Sequence, residues 1–232
     1  MTKIKILSKY KHHIWTREQI KNFWIYESQF PEKFWGKNFG NSFVKNYIRE
    51  IHNSNKILDF GCGDGSLMEE INKVSKNKII YGYENSNEMI SNLQNKFKDK
   101  PNFSFLSNLK EGNFDLIFCT EVIEHLYDKD LKKLIETLKK LKSSSGYIIF
   151  STPNNENLEK SLIFNPINNK VFHRWQHVRS WNKHELKYFL SEHGFKEFYF
   201  KETTLKNRSE NILKRIVRKV KYKKLNLMLK TK

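Results

Sequence analysis

Residues 56–71 read KILDFGCGDGSLMEEI, and the order of residue types in that stretch decides the fold. An apolar, strand-like run with Ile57, Leu58 and Phe60 leads directly into Gly61-Cys62-Gly63-Asp64-Gly65. Beyond it Leu67, Met68, Ile71 and Val74 recur at helical spacing. Alternate glycines between a strand and a helix let the backbone turn sharply and approach a ligand closely. The helix start adds unpaired N–H groups and a positive dipole end. A second apolar run, Lys78 to Tyr83, ends in Glu84. A carboxylate at the tip of the next strand, roughly 20 residues on, accepts hydrogen bonds from ribose hydroxyls. The pair of features suits a cofactor that carries a nucleoside.

The details narrow the cofactor. A dinucleotide fingerprint spaces its glycines G-x-G-x-x-G to admit a pyrophosphate, whereas here the third glycine comes one residue early. No lysine-serine pair follows to cradle an NTP. Asp59, just ahead of the loop, suits a positive amino group better than a phosphate. The pattern resembles motif I of the class I S-adenosylmethionine (SAM) methyltransferases, over roughly Asn55 to Phe200. That resemblance implies that Asp59 lies near the methionine ammonium and Glu84 binds the ribose. It implies a SAM site of Asp59, Gly61, Cys62, Gly63, Gly65, Glu84, Asn85, Ser107, Asn108, Cys119, Thr120 and Glu121, with Ser107 and Asn108 near the adenine.

Periodicity agrees with the α/β alternation of such a fold. Asn87 to Phe97 reads as a helix, Asn102 to Leu106 as a short strand, and Phe114 to Cys119 as a buried strand. Leu131, Leu134, Ile135, Leu138 and Leu141 mark one apolar helix face. That helix is expected to stop at Ser143-Ser144-Ser145-Gly146, before a strand Tyr147–Phe150. Asn182 to His193 reads as a helix closed by Gly194, then Phe195 to Phe200 as a strand. Leu225, Leu227 and Leu229 alternate as a last strand, which the family inserts antiparallel. The expectation is a Rossmann-like, doubly wound, mostly parallel seven-stranded sheet with an N-terminal helical lid. Ligands of such sheets lie beyond the carboxyl ends of the strands, where Gly61–Gly65, Glu84, Ser107–Asn108 and Cys119–Glu121 would share one edge.

The 232 residues, 38% hydrophobic, suffice for one sizeable core. The expected division is an aromatic, helical lid over 1–54 and a SAM-binding domain over 55–232, with an acceptor insertion at 153–180. No bilayer-spanning run or signal peptide is read, and two cysteines suggest no disulfide framework. The expected location is the cytoplasm, with contact at the inner face of the membrane left open. Charge is concentrated at the ends: residues 201–232 carry 12 Lys/Arg against 2 acidic groups, and residues 1–21 carry 6 against 1. In Asn211 to Lys221 the apolar residues (Ile212, Leu213, Ile216, Val217, Val220) take one helical face and the basic ones the other. Such a segment either lies on an anionic membrane surface or packs its apolar face on the sheet. Weak membrane-surface attraction is expected, and nucleic-acid binding less so, because no aromatic stacking platform accompanies the lysines.

The chemistry is sought in Thr120-Glu121-Val122-Ile123-Glu124-His125. A helical turn there would put Glu121, Glu124 and His125 on one face, with His125 able to act as general base. The string resembles the ubiquinone-biosynthesis O-methyltransferases and the small-RNA terminal 2′-O-methyltransferases. The RNA resemblance implies a divalent metal on two Glu and a His of this string, with His177 as fourth ligand. Val178-Arg179-Ser180-Trp181 departs from the acidic, aromatic run of those enzymes, so no metal is expected. The aromatic N-terminal run Phe23 to Glu27, with Pro31-Glu32, Trp35 and Phe172 to Trp181, resembles small methyltransferases of bacterial glycan and lipid-linked saccharide pathways. The resulting expectation is methyl transfer to a hydroxyl of a small-molecule, saccharide or lipid-linked acceptor, with Glu124, His125 and His177 catalytic. RNA 2′-O-methylation, or a SAM-binding sensor without catalysis, are the alternatives.

Overall fold

Both faces of the central sheet have to be covered, because its strands are apolar almost throughout. The computed structural model describes residues 10–109, 112–208 and 225–231. A two-residue strand β1 (Lys11–His12) precedes α1 (Arg17–Glu27), a 3-10 turn at Pro31–Lys33, α2 (Trp35–Val44) and α3 (Ile48–His52). The alternating core follows as β2 (Lys56–Phe60), α4 (Ser66–Val74), β3 (Ile79–Tyr83), α5 (Asn87–Lys96), β4 (Phe103–Leu106), β5 (Phe114–Thr120), α6 (Asp128–Leu141) and β6 (Lys142–Asn154). Then come a 3-10 turn at Leu158–Ser161, β7 (Leu162–Asn165), β8 (Lys170–His173), α7 (Lys183–Glu192), β9 (Phe198–Thr203) and β10 (Leu225–Thr231).

The seven-stranded sheet has the order β4-β3-β2-β5-β6-β10-β9. β4, β3, β2, β5 and β6 pair in parallel. β10 lies antiparallel between β6 and β9, the arrangement expected from Leu225, Leu227 and Leu229. The strand order reverses between β2 and β5, the switch point at which open α/β sheets bind ligands. Asp115, at the start of β5, accepts from the Asn55 and Lys56 backbone N–H groups (2.8 and 3.0 Å) and so fixes where β2 begins.

On one sheet face Leu131, Leu134, Ile135, Leu138 and Leu141 of α6 and Leu186 and Leu190 of α7 bury against Ile117, Ile148 and Phe150. On the other, Leu67, Met68 and Ile71 of α4 join Phe43, Val44 and Ile51, from α2 and α3, against Leu116, Phe118 and Ile149. Capping sets two helix starts. Thr16 and Gln19 form a capping box on α1, and Asn182 and Glu185 one on α7. Gly194 then closes α7 at φ +81°.

Three expectations are corrected. The strand expected at Tyr147–Phe150 is longer: β6 starts at Lys142, and a register shift opposite Phe114–Leu116 absorbs Ser143–Gly146 as a bulge. β9 begins at Phe198 rather than Phe195, whose side chain is buried in the α6–α7 core instead. Residues 121–126 form a turn, not a helix, with α6 starting at Asp128. Strands β7 and β8 of the insertion form a second sheet with the N-terminal β1, order β1-β8-β7, in which β1 pairs in parallel with β8. The basic segment Asn211–Lys221 and residues 1–9 lie outside the described residues.

Candidate active site

The glycine loop leaves β2 and is tied at once to the neighbouring strand. Gly61 and Cys62 N–H both donate to the Tyr83 carbonyl, at 2.8 and 3.1 Å. Gly61, Gly63 and Gly65 have φ of +77°, +54° and +77°, a region L side chains rarely enter. Space matters as much as conformation at Gly63, where an added Cβ would lie 2.8 Å from the Phe34 ring. Glu84, just beyond β3, accepts from Gly63 N–H with one oxygen (3.1 Å) and from Asn85 N–H with the other (2.9 Å). Burial raises its carboxyl pKa, and those two backbone bonds oppose the rise.

Asp59 differs. It is 1% exposed, and neither carboxylate oxygen has a hydrogen-bond partner. Burial first, then the charges of Glu84 and Asp64, push its pKa up to about 8. A carboxylate held dry and unpartnered is costly, and a cationic ligand group relieves that cost. Among the other sequence-predicted cofactor residues, Ser107 and Asn108 follow β4 and are exposed. Cys119 and Thr120 end β5 inside the protein, with the Cys119 thiol pushed up by burial. Cys62 is likewise buried.

Beyond β5 the chain turns abruptly. Glu121 has φ +54°, its N–H donates to the Ser151 carbonyl (2.9 Å), and its carboxylate accepts from Ser151 Oγ (2.7 Å). Glu124 is 1% exposed and accepts from Thr152 Oγ1 at 3.0 Å, its other oxygen having no hydrogen-bond partner. Its carboxyl lies well above the usual range because of burial and the nearby Glu121. The insertion is fastened to this turn by three bonds. Val178 N–H donates to the Glu124 carbonyl (2.9 Å), Gln176 Nε2 to that of His125 (3.1 Å), and Arg179 to that of Leu126 (2.7 Å). Gln176 adopts φ +59° to do so.

Those bonds bring His177 against His125, with ring centroids 4.7 Å apart. Glu124, His125 and His177 each offer a ligand atom within 4.8 Å of the others. Trp24, from α1, meets His125 edge-to-face, with ring centroids 5.1 Å apart. Burial, and then its proximity to His177, hold the His125 pKa well below the usual imidazole value. Sequence reasoning passed over two further members. His173 stacks on His177 at 4.5 Å, and Glu156 accepts from His177 Nδ1 at 2.5 Å. Burial alone would raise Glu156, but the two histidines beside it outweigh burial and hold its carboxyl below the usual range.

Residues 32–197 match the family model described as "Methyltransferase domain". The chain belongs to this methyltransferase family. Among curated relatives it is 28% identical to a small RNA 2′-O-methyltransferase of Xenopus tropicalis, over 65% of this chain and 43% of that one. It is 29% identical to malonyl-[acyl-carrier protein] O-methyltransferase 2 of Ilyobacter polytropus, over 46% and 42%. The chain thus spans less than half the length of these relatives. Its fold resembles a SAM-dependent methyltransferase from Archaeoglobus fulgidus (TM-score 0.58, 18% identity, 90% and 99% of the two chains). It also resembles the plantazolicin methyltransferase in complex with SAH (TM-score 0.60, 17% identity, 93% and 90%).

The methyltransferase fold is that of class I enzymes, whose cofactor is SAM, and the β2 loop fits that molecule. Asp59 lacks a partner where an ammonium would supply one, and Gly63 leaves no room for a side chain. A measurable pH dependence follows. Native Asp59 keeps its proton up to about pH 8, whereas in the unfolded chain it loses it near its ordinary value of about 4. The native state therefore binds more protons between those limits, and this group's contribution to stability falls as pH rises through the window. Thermal midpoints of the ligand-free protein should drop more steeply from pH 4 to 8 in wild type than in Asp59→Asn. Equal slopes in the two proteins would show that Asp59 ionises as a solvated group.

Proposed function

We propose that this methyltransferase transfers the methyl group of SAM to a hydroxyl of a small-molecule, saccharide or lipid-linked acceptor. The observation that carries this reading is His177, held through Nδ1 by Glu156 and packed against the turn that follows β5. β5 is the strand beside β2, which carries the glycine loop. When bound, SAM supplies an electrophilic methyl carbon on a sulfonium. Asp59, Gly61, Gly63 and Glu84 would hold it, with Cys62, Gly65, Asn85 and Glu121 around them and Ser107 and Asn108 toward the adenine.

The acceptor side belongs to this chain's other groups. With Nδ1–H donated to Glu156, the lone pair of His177 sits on Nε2, where it can take a hydroxyl proton. His125 is the weaker candidate, because its enclosure lowers its basicity. Trp15 meets Phe172 and Phe23 edge-on, and Phe23 meets Trp24. This aromatic wall, joining α1 to β8, would shield the acceptor pocket from water. Alignment of the acceptor oxygen with the methyl carbon would supply much of the rate.

A second reading, RNA 2′-O-methylation, is favoured by the Xenopus relative and by the closeness of Glu124, His125 and His177, which would then hold a divalent cation. One experiment separates the two. Calorimetry should first register binding of SAM and of S-adenosylhomocysteine. Methyl-labelled SAM is then offered with catechols, nucleotide sugars, polyprenyl-linked saccharides and short RNAs, with and without a chelator. Labelling of a small hydroxyl compound that persists with chelator supports the first reading. Chelator-sensitive labelling of RNA 3′ ends would replace it with the second, and labelling of neither class would end both.

A further inference from the structure

Ile167, at the tip of the β7–β8 hairpin, is 93% exposed, more than any other large apolar side chain among the described residues. Ile163 and Phe164, on β7, are 41% and 42% exposed, and Tyr10 rests against Phe164 with ring centroids 4.7 Å apart. Side chains of consecutive strand residues point to opposite faces, so exposure of both Ile163 and Phe164 leaves neither face of β7 closed off. Two asparagines brace the tip. The Asn165 side chain accepts from Ile167 N–H (2.9 Å), and that of Asn168 accepts from Lys170 N–H (3.1 Å). The tip therefore presents an apolar side chain outward while these backbone donors stay satisfied.

Cations surround this tip. Lys11 of β1 lies opposite Lys170 of β8 in the sheet register, a like-charge pairing that is unfavourable unless an anion faces it. Lys160 precedes β7 and Arg174 follows β8. None of these four forms an ion pair among the described residues. Of the two acidic groups nearby in sequence, Glu156 is taken up by His173 and His177, which leaves Glu159. The chain that enters β1 adds to the charge, since residues 1–9 contain three lysines and no acidic group. An apolar tip with a basic collar matches a bilayer, whose hydrocarbon lies beneath anionic headgroups. A protein partner would cover one face of the strand, whereas a bilayer entered tip first takes up both.

We propose that the β7–β8 hairpin docks tip first on an anionic membrane surface, with Ile163, Phe164 and Ile167 below the headgroups and the lysines and Arg174 at the phosphates. Long basic side chains lay their stems along apolar surface while their charged heads stay in water, which suits residues set just behind a buried tip. The docking is separate from the choice of acceptor and uses a surface that methyl transfer does not. β8 leads from this tip to His173 in four residues, so docking would fix the distance of the candidate active site from the bilayer.

Vesicle flotation of the full chain tests this. Vesicles of phosphatidylcholine mixed with phosphatidylglycerol in roughly equal parts should capture the protein at least tenfold better than phosphatidylcholine alone, on the order expected from several basic residues at the surface. Ile167→Asp should weaken that capture about tenfold or more, as the loss of one buried isoleucine implies. Lys11→Gln combined with Lys170→Gln should weaken it about fivefold for each charge. The basic segment Asn211–Lys221 is the rival source of binding, and Ile167→Cys separates the two. The native cysteines are buried, so a polarity-sensitive dye attaches at position 167. Its emission should shift to the blue with the anionic vesicles and stay unchanged with the neutral ones. Capture without a dye shift overturns the proposal. So does capture that Ile167→Asp leaves untouched but that replacing Lys214, Arg215, Arg218 and Lys219 with Gln abolishes. Failure of the anionic vesicles to capture the protein also overturns it. Self-association without vesicles that Ile167→Asp removes would make a second copy of the chain the occupant instead.

Discussion

Valine at position 63 is expected to cost the protein its cofactor. Gly63 sits at φ +54°, where a side chain costs about 1–2 kcal/mol and a β-branched one is an outlier. Its Cβ would also meet the Phe34 ring at 2.8 Å, an overpacking of about 1–3 kcal/mol. The loop can relieve both by moving, but Gly63 N–H is one of the two backbone groups that orient Glu84. A combined cost of about 2–5 kcal/mol, taken from binding, weakens SAM by roughly 30-fold or more. Calorimetry reads the affinity, and a melting curve distinguishes a displaced loop from an unfolded chain. Wild-type affinity in a folded Gly63→Val protein would mean that the loop does not approach the cofactor.

Alanine at His177 should act on the other half of the reaction. If Nε2 takes the acceptor proton, turnover falls about 10²–10⁴-fold, while SAM affinity stays close to wild type because the bonds that shape the glycine loop run to Tyr83 and Glu84. His125→Ala makes the useful contrast. That ring fills space between Trp24 and His177, so its loss should lower the melting temperature more than it lowers the rate of any correctly folded fraction. If the two alanine variants exchange these behaviours, with His125 controlling rate and His177 only stability, the assignment of the base is reversed.

What could be read from the sequence, and what could not, follows the range of the interactions. The β2 loop was legible because its signal is local: a strand, three glycines and a helix within sixteen residues, with Glu84 one strand further on. The strands β3, β4 and β5 and the helices α5, α6 and α7 were legible within a few residues, because the periodicity of an apolar face survives in the chain. The conformation of 121–126 could be read only conditionally, as what a helical turn would bring together, since a strained Glu121 anchored to Ser151 is decided by a strand thirty residues away. Glu156 and His173 were passed over for the same reason. Glu156 stands in a polar run after β6, and nothing beside it in sequence indicates that β8 will carry His173 back to it. The β1–β8 pairing was equally hidden, because a two-residue strand has no periodicity.

The three bonds from Gln176, Val178 and Arg179 to the carbonyls of His125, Glu124 and Leu126 impose a phase on the insertion. One residue added between His173 and Gln176 would shift every partner by one step and present a different side chain where His177 now stands. The tip of the β7–β8 hairpin carries no such constraint: Ile167 there is 93% exposed, and chain added between Asn165 and Lys170 leaves both strands in register. Changes in length are therefore silent at one end of this insertion and disabling at the other. Descendants of such a chain can lengthen the tip and so reshape what approaches the pocket, while the spacing of the histidines is inherited unchanged.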